Sequence, residues 1–363
     1  MTTLDLDGRK PITFISAEKK EANILHQLGY APAAAELRHE LWKQRREIEA
    51  IAKHHLGLGS ESSYTVLKQS TWIQGGFNIC IPVEANLGKL SKKFIFRCPM
   101  PHKLAESIYP GTVDEKLSLT LENEGTRRIT QKDDNYASTE TFVSDMITLH
   151  DGRLLTNPNA VYSAEDCRAH MTQRILLRAL SHQYINRARR NGPFLLQLTD
   201  INPSNIFVDK ECNLTCLVDL EWICALPAEM LAVPYWLTGL GIDEIEEDHL
   251  IKFNEIRRGF MDILEEEEQG LGEHNISISG TMHDTWDSKG VWYWYCISSA
   301  NAMLALVDDH ICPAFSAVLH SDFEEVLSKF WCKNAEDVVQ QKVDDNIKYN
   351  KELRRLFGEP ATI

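Results

Sequence analysis

Three side chains within twenty residues, Asp200, Asn205 and Asp219, hold the clearest chemical potential in this 363-residue chain. Two carboxylates and one primary amide are hard oxygen donors, a set that Mg2+ accepts when phosphate oxygens and water complete its shell. A carboxylate at Asp200 suits a second task as well, that of orienting and deprotonating a hydroxyl group. Phosphoryl transfer asks little more of a protein than these two services. The plainer reading is that Asp200 and Asn205 close turns, as Asp and Asn commonly do. Asp219 weighs against it: between Val218 and Leu220 it reads as a carboxylate in an apolar strand, which calls for a cation or a donor. Glu221 fits a metal shell or a salt bridge equally well. A metal-dependent hydrolase built on Asp200, Asp219 and Glu221 is the weaker form of the idea, since two-metal sites usually take more carboxylates.

The elements that must position these groups are legible around them. FLLQLTD, IFVD and LTCLVDLEW read as three short strands separated by the turns INPSN and KECN. Cys212 and Cys216 fall in this ribbon and read as hairpin residues, because no second Cys/His pair follows at zinc spacing. Upstream, Ser163 caps a helix expected to run to Gly192, with Cys167, Met171, Ile175, Leu180 and Tyr184 as its buried stripe. Residues 31–56 read as one helix, with His54 and His55 favourably placed at its C-terminal end. From Tyr64 the texture turns to strands around Gly75-Gly76, with a turn at Asn86-Leu87-Gly88 and a further strand over Lys93–Arg97. Residues 119–140 offer few core residues and read as loop or weak helix. Helices follow from Ile242: an acidic one, an aromatic-rich one near Val291–Val307, and a long one over Asp322–Leu356. Trp286, Trp292, Tyr293, Trp294 and Tyr295 read first as core and second as an aromatic box for a quaternary amine.

Composition bounds the rest. Charged residues make up 25% and the apolar set 43%, ordinary values that exclude disorder along the whole chain. The net charge of −15 disfavours nucleic acid and anionic lipid as partners. Residues 243–268 hold eleven acids against three bases, which reads as a solvated helix face or as a field favouring a cationic substrate. Nine cysteines with no signal-like opening point to reduced thiols and a cytoplasmic location. Pro227, Glu229 and Pro234 interrupt the most apolar stretch, Trp222–Leu237, so no membrane span is expected.

The segment PFLLQLTDINPSNIFVDKECNLTCLVDLEWICALPAEMLAVPYWLTG resembles the phosphotransferase segment of the aminoglycoside phosphotransferase/choline kinase-like superfamily, most of all its large fungal branch. WIQGGFNICIPV, FIFRCPMP and GTVDEK are similar to that branch's nucleotide loop, third strand and first-lobe helix start. The resemblance implies an α+β, protein-kinase-like two-lobe fold: a small antiparallel β N-lobe, here incomplete, and a larger helical C-lobe. It implies Asp200 as catalytic base and Asn205 and Asp219 as Mg2+ ligands. Gly75, Gly76, Phe77 and Asn78 would form the ATP phosphate loop, and Arg97 would stand for the phosphate-pairing lysine. The acceptor would be a small-molecule hydroxyl, cationic if the acidic helix is a guide.

Three departures accompany the resemblance. Asn202 stands where the family usually carries a second His, and Leu198 lies two residues before Asp200. Thr120 occupies the place of the first-lobe Glu, with Glu122 and Glu124 nearby. DEKLS runs directly into LTLENEG, so the block holding two strands and the adenine hinge is missing. The expected organisation is a helical extension over 1–60, a truncated N-lobe over 61–118, an irregular connection over 119–162 and a helical C-lobe over 163–363. The two functional expectations are ATP- and Mg2+-dependent phosphoryl transfer and, as the alternative, a non-catalytic pseudokinase-type binding module.

Overall fold

Ile79, Ile81, Val83 and Ala85 alternate along one strand and are all fully buried, so a single sheet face must be covered. The computed structural model describes residues 2–7, 10–57, 62–87, 90–104, 108, 116–130, 134–272, 276–299 and 301–359. It is a mixed α+β chain. It opens on a small ribbon, β1 (Thr3–Leu4) with β2 (Ile12–Thr13), followed by helices α1 (Phe14–Glu18), α2 (Ile24–Leu28), α3 (Tyr30–Lys43) and α4 (Arg45–Leu56). The single helix expected over 31–56 is thus two, broken at Gln44, where ψ is 17°. Gly57 closes α4 at φ 56°, a left-handed position that glycine adopts without a Cβ penalty.

Strands β3 (Ser63–Val66), β4 (Ile73–Gln74), β5 (Asn78–Leu87) and β6 (Leu90–Pro99) form an antiparallel sheet. β5 is central, with β6 on one edge and both β3 and β4 on the other. Leu41, Ile48 and Ala52 of α3 and α4 join the core on the sheet's buried face. Pro82 sits mid-strand without breaking the ladder. Its carbonyl accepts from the Leu67 amide at 2.9 Å, so the proton it lacks would have pointed to the interval between β3 and β4. The Asn86-Leu87-Gly88 turn and the GTVDEK start lie at least partly outside the described residues.

Helices α5 (Lys116–Asn123) and α6 (Thr139–Thr156) come next. The second corrects the expectation of an irregular connection over 119–162. Ser138 caps α6 by accepting the Thr141 amide, and Phe142, Val143, Met146, Ile147, Leu149 and Leu154 are buried along it. The polar run before Ser138 masks a helix whose apolar spacing is itself regular. α7 (Ala164–Tyr184) starts at Ser163 as expected but ends eight residues before Gly192. Asn186 ends it: its side chain accepts the Ala188 amide at 2.9 Å, a local turn that competes with further helix.

Strands β7 (Phe194–Leu198), β8 (Ile206–Val208), β9 (Leu214–Leu217) and β10 (Ile223–Pro227) follow as two antiparallel pairs, β7 with β10 and β8 with β9. The remainder is helical: α8 (Glu247–Gly270), α9 (Ile278–Asp287), α10 (Gly290–Ser298), α11 (Met303–Leu306), α12 (Cys312–Ala314), α13 (Ser321–Leu327) and α14 (Ala335–Phe357). The long helix expected over 322–356 is therefore divided into α13, a 3-10 turn at Ser328–Phe330, and α14.

The chain forms two compact units, one of Met1–Thr112, Glu122–Glu124 and Asp345–Ile363, the other of Val113–Leu121 and Gly125–Asp344. Helices α1 and α2 are held by the end of the chain. Phe14 and Ile24 pack with Tyr349, Leu353 and Phe357 from the end of α14, and the Ile24 amide donates to Tyr349 Oη at 3.0 Å. The larger unit has its own core, drawn from α6, α7, α8 and α10.

Candidate functional site

Asp200 lies two residues past β7, in the turn that leaves the β7–β10 ribbon. That ribbon fixes its surroundings, because Leu198 faces Ile223 across the ladder. Beyond the last rung, the Thr199 amide and hydroxyl both donate to the Trp222 carbonyl, at 3.3 and 2.5 Å. The Trp222 turn is the one that Asp219 opens, so two short strands bring residues 200 and 219 to one end of the ribbon.

Asn205 is tied to the same place from the other side. Its side-chain Nδ2 donates to the Asp200 carbonyl at 2.9 Å, and Asn202 Nδ2 donates to that carbonyl at 3.2 Å. The Asn205 carbonyl accepts the Val218 amide at 3.0 Å, extending the β8–β9 ladder by a rung beyond Ile206 and Leu217. Asp219 therefore follows directly after the residue hydrogen-bonded to Asn205. Asp200 and Asp219 border one small cleft with Leu198, Ile201, Val218, Leu220, Trp222 and Ile223.

One detail differs from the sequence reading. Asp219 is not within an apolar strand: it lies beyond β9 at φ 60° and ψ 40°. A non-glycine residue in the left-handed region carries roughly 1 kcal/mol of strain, and Asp tolerates it better than most. A cation at Asp219 would be favoured by its place on the cleft with Asp200 and by its turn backbone, not by burial in a strand.

The donor set suits Mg2+. Asn205 is buried, with Nδ2 committed to the Asp200 carbonyl and Oδ1 accepting from the Ser204 hydroxyl at 3.4 Å, so Oδ1 is the atom it could offer to a cation. A carboxylate and an amide oxygen are the small protein contribution that Mg2+ takes alongside nucleotide phosphates. Among the described residues, no three His, Cys, Asp or Glu side chains gather to hold a metal by themselves. Burial first, and then the charges of Asp243 and Asp200, push the Tyr235 phenol above its ordinary value. Tyr235, edge-on to Tyr295, is therefore within electrostatic reach of Asp200, a neighbour that spacing alone did not indicate.

The smaller unit carries the second group of candidates. Gly75 and Gly76 form the turn between β4 and β5, with the Gly75 amide donating to the Asn78 carbonyl at 2.8 Å. Neither glycine has positive φ. A Cβ would meet only the Asn78 carbonyl, at 3.6 Å, from Gly75 and nothing from Gly76. The hairpin itself therefore does not require glycine at either position. Both are exposed, which leaves the backbone open to close approach by a ligand. Phe77 accepts the Met100 amide through its carbonyl at 2.8 Å, and Asn78 begins β5. Arg97 pairs with Cys80 across β5–β6, on the sheet face opposite the α3–α4 core, and is exposed beside Ile95 and Ile73.

Other candidates resolve into structure. Trp292, Tyr293 and Trp294 are buried in the core of the larger unit, Trp292 stacked on His310 at 3.7 Å and Tyr293 on Tyr184 at 4.6 Å, so they form no open box. Trp286, half-buried, already has the Arg257 guanidinium over its ring at 4.4 Å. Most acids of α8 face solvent, while Glu268 caps α9 by accepting the Ile278 and Ser279 amides at 2.5 and 3.1 Å. Cys212 and Cys216 belong to the β8–β9 hairpin, whose loop is held by Asp209 accepting the Glu211 and Asn213 amides.

Compared with protein-family models, curated proteins and solved structures, the chain matches none.

Proposed function

We propose that the chain is a kinase-like phosphotransferase of the aminoglycoside phosphotransferase/choline kinase type, transferring the γ-phosphoryl group of ATP to a small-molecule hydroxyl. The observation that carries this reading is that Asp200 and Asp219 line one small cleft, while Asn205 Nδ2 is bonded to the Asp200 main-chain carbonyl next to it. Asn205 and Asp219 would hold Mg2+, which neutralises phosphate charge when bound. Asp200 would accept the acceptor's hydroxyl proton as its oxygen bonds to phosphorus and the bond to the ADP oxygen breaks. Gly75, Gly76, Phe77 and Asn78 would receive the phosphates through backbone N–H groups, with Arg97 pairing their charge. On this reading the acceptor is cationic, in keeping with the acidic surplus of residues 243–268.

A second reading has its own support. After β6 the described residues pass into α5 and α6, and no further strand joins the sheet. Adenine would then lack the apolar sandwich that small-ligand sites normally provide. This favours a non-catalytic, pseudokinase-type binding module.

A thermal-shift titration with Mg2+-ATP on the wild type and on Asp219→Ala separates them. Stabilisation of about 3 kcal/mol at a hundredfold excess over Kd, lost in the variant, supports the phosphotransferase site. No stabilisation at millimolar nucleotide favours the module.

A further inference from the structure

Gln74 is the last residue before the glycine turn, and its side chain is gripped at both ends. Its Nε2 donates to both carboxylate oxygens of Asp7 at 2.6 Å, and Arg38 Nε donates to its Oε1 at 3.3 Å. Asp7 is also ion-paired with Lys103, Nζ to Oδ2 at 2.6 Å, with the two side chains only 8% and 11% exposed. Lys103 lies three residues after Met100, and the Met100 amide donates to the Phe77 carbonyl at the other end of the turn. A closed circuit therefore runs from Gln74 through Asp7 and Lys103 to Met100 and Phe77, with Gly75 and Gly76 inside it.

We propose that Asp7 is a positioning residue for the glycine turn, so that the N-terminal arm is part of the nucleotide site; this rests on the phosphate-loop reading above. Two glycines that the hairpin does not require give the backbone room for phosphate but supply no side chain to hold it still. A turn meant to bind anions through N–H groups needs fixing by its neighbours. Asp7 does this without adding net negative charge, since Lys103 balances it. Asp7 touches no reacting atom and acts through Gln74 at one end of the turn and Lys103 at the other.

The test replaces the ion pair by apolar side chains, Asp7→Leu with Lys103→Met, which removes the clamp without leaving an unpaired buried charge. The expected result is a melting temperature near that of the wild type, Mg2+-ATP binding weaker by about tenfold, and amide exchange faster by about tenfold at Gly75 and Met100 but not at Ile81 and Val83. A purely structural role predicts recovery of both stability and binding, and that result overturns the proposal. Should the double variant not fold, Gln74→Leu leaves the ion pair intact and should show the same loss of binding; wild-type binding there overturns the proposal too. A wild-type chain that binds no Mg2+-ATP overturns the phosphotransferase reading and this inference together. Wild-type binding that the variants match overturns this inference alone.

Discussion

At the scale of single residues, burial decides which polar groups do chemistry and which hold the fold. His150 is fully buried with Nε2 2.9 Å from the Ile297 carbonyl, and burial pushes its pKa down from 6.5 to about 3. The unfolded chain binds a proton there that the folded chain refuses, so stability falls as pH drops below about 6.5. Between pH 6.5 and 5 this single residue should cost about 2 kcal/mol. Urea unfolding of His150→Gln beside the wild type checks it: the variant should lose about that much less over the same interval. Equal slopes would show that His150 is not buried neutral. Asp219 is the opposite kind of residue, half-buried at the edge of a cleft in a backbone conformation that the fold tolerates at a cost.

At the scale of elements, ends matter more than middles. The acidic run over 243–268 looks uniform in sequence, yet Glu268 is set apart by what it caps. Its carboxylate accepts the Ile278 and Ser279 amides and the Ser279 hydroxyl at the start of α9. The Ser279 hydroxyl, chiefly, holds the carboxyl below its usual range. Glu268→Ala should lower stability by about 1 kcal/mol at neutral pH. The difference should vanish as acid protonates the wild-type carboxylate, since a group with a lowered pKa loses its contribution as pH falls. Paired denaturation curves at pH 7 and pH 3 measure both halves of that expectation. Glu265→Ala, one turn earlier, would lose only a half-exposed pair with His283 and should change little.

At the scale of the whole molecule, two cores are built separately. Ile79, Ile81 and Val83 pack with α3 and α4 in one unit, while Phe253, Trp292 and Tyr293 belong to the other. Separate cores predict unfolding that is not all-or-none. Scanning calorimetry should give a calorimetric enthalpy above the van't Hoff value. Ile81→Ala, at a cost of about 2–5 kcal/mol, should lower one component and leave the other in place. A single transition that shifts as a whole would refute that picture. No helix among the described residues is long and apolar enough to cross a membrane.

The sequence by itself determined the period-two alternation of β5, the Ser163 start of α7 and the hairpin that holds Cys212 and Cys216. These are local properties: side-chain periodicity, cap chemistry and turn residues act over a few positions and can be read there. Other outcomes were settled only by tertiary structure. Helix α6 lies behind a polar run, and α7 stops at Asn186 because a side chain outcompetes the next helical bond. The left-handed backbone of Asp219 is set where β9 ends and the next turn begins. Asp200 and Asp219 share a cleft because β7 pairs with β10, a strand that lies beyond the LTCLVDLEW segment read as the third strand. Asp7 reaches Gln74 across sixty-seven positions, a distance no local pattern encodes. Contacts of that span depend on which faces find each other once apolar surface is buried, and burial is a property of the whole chain.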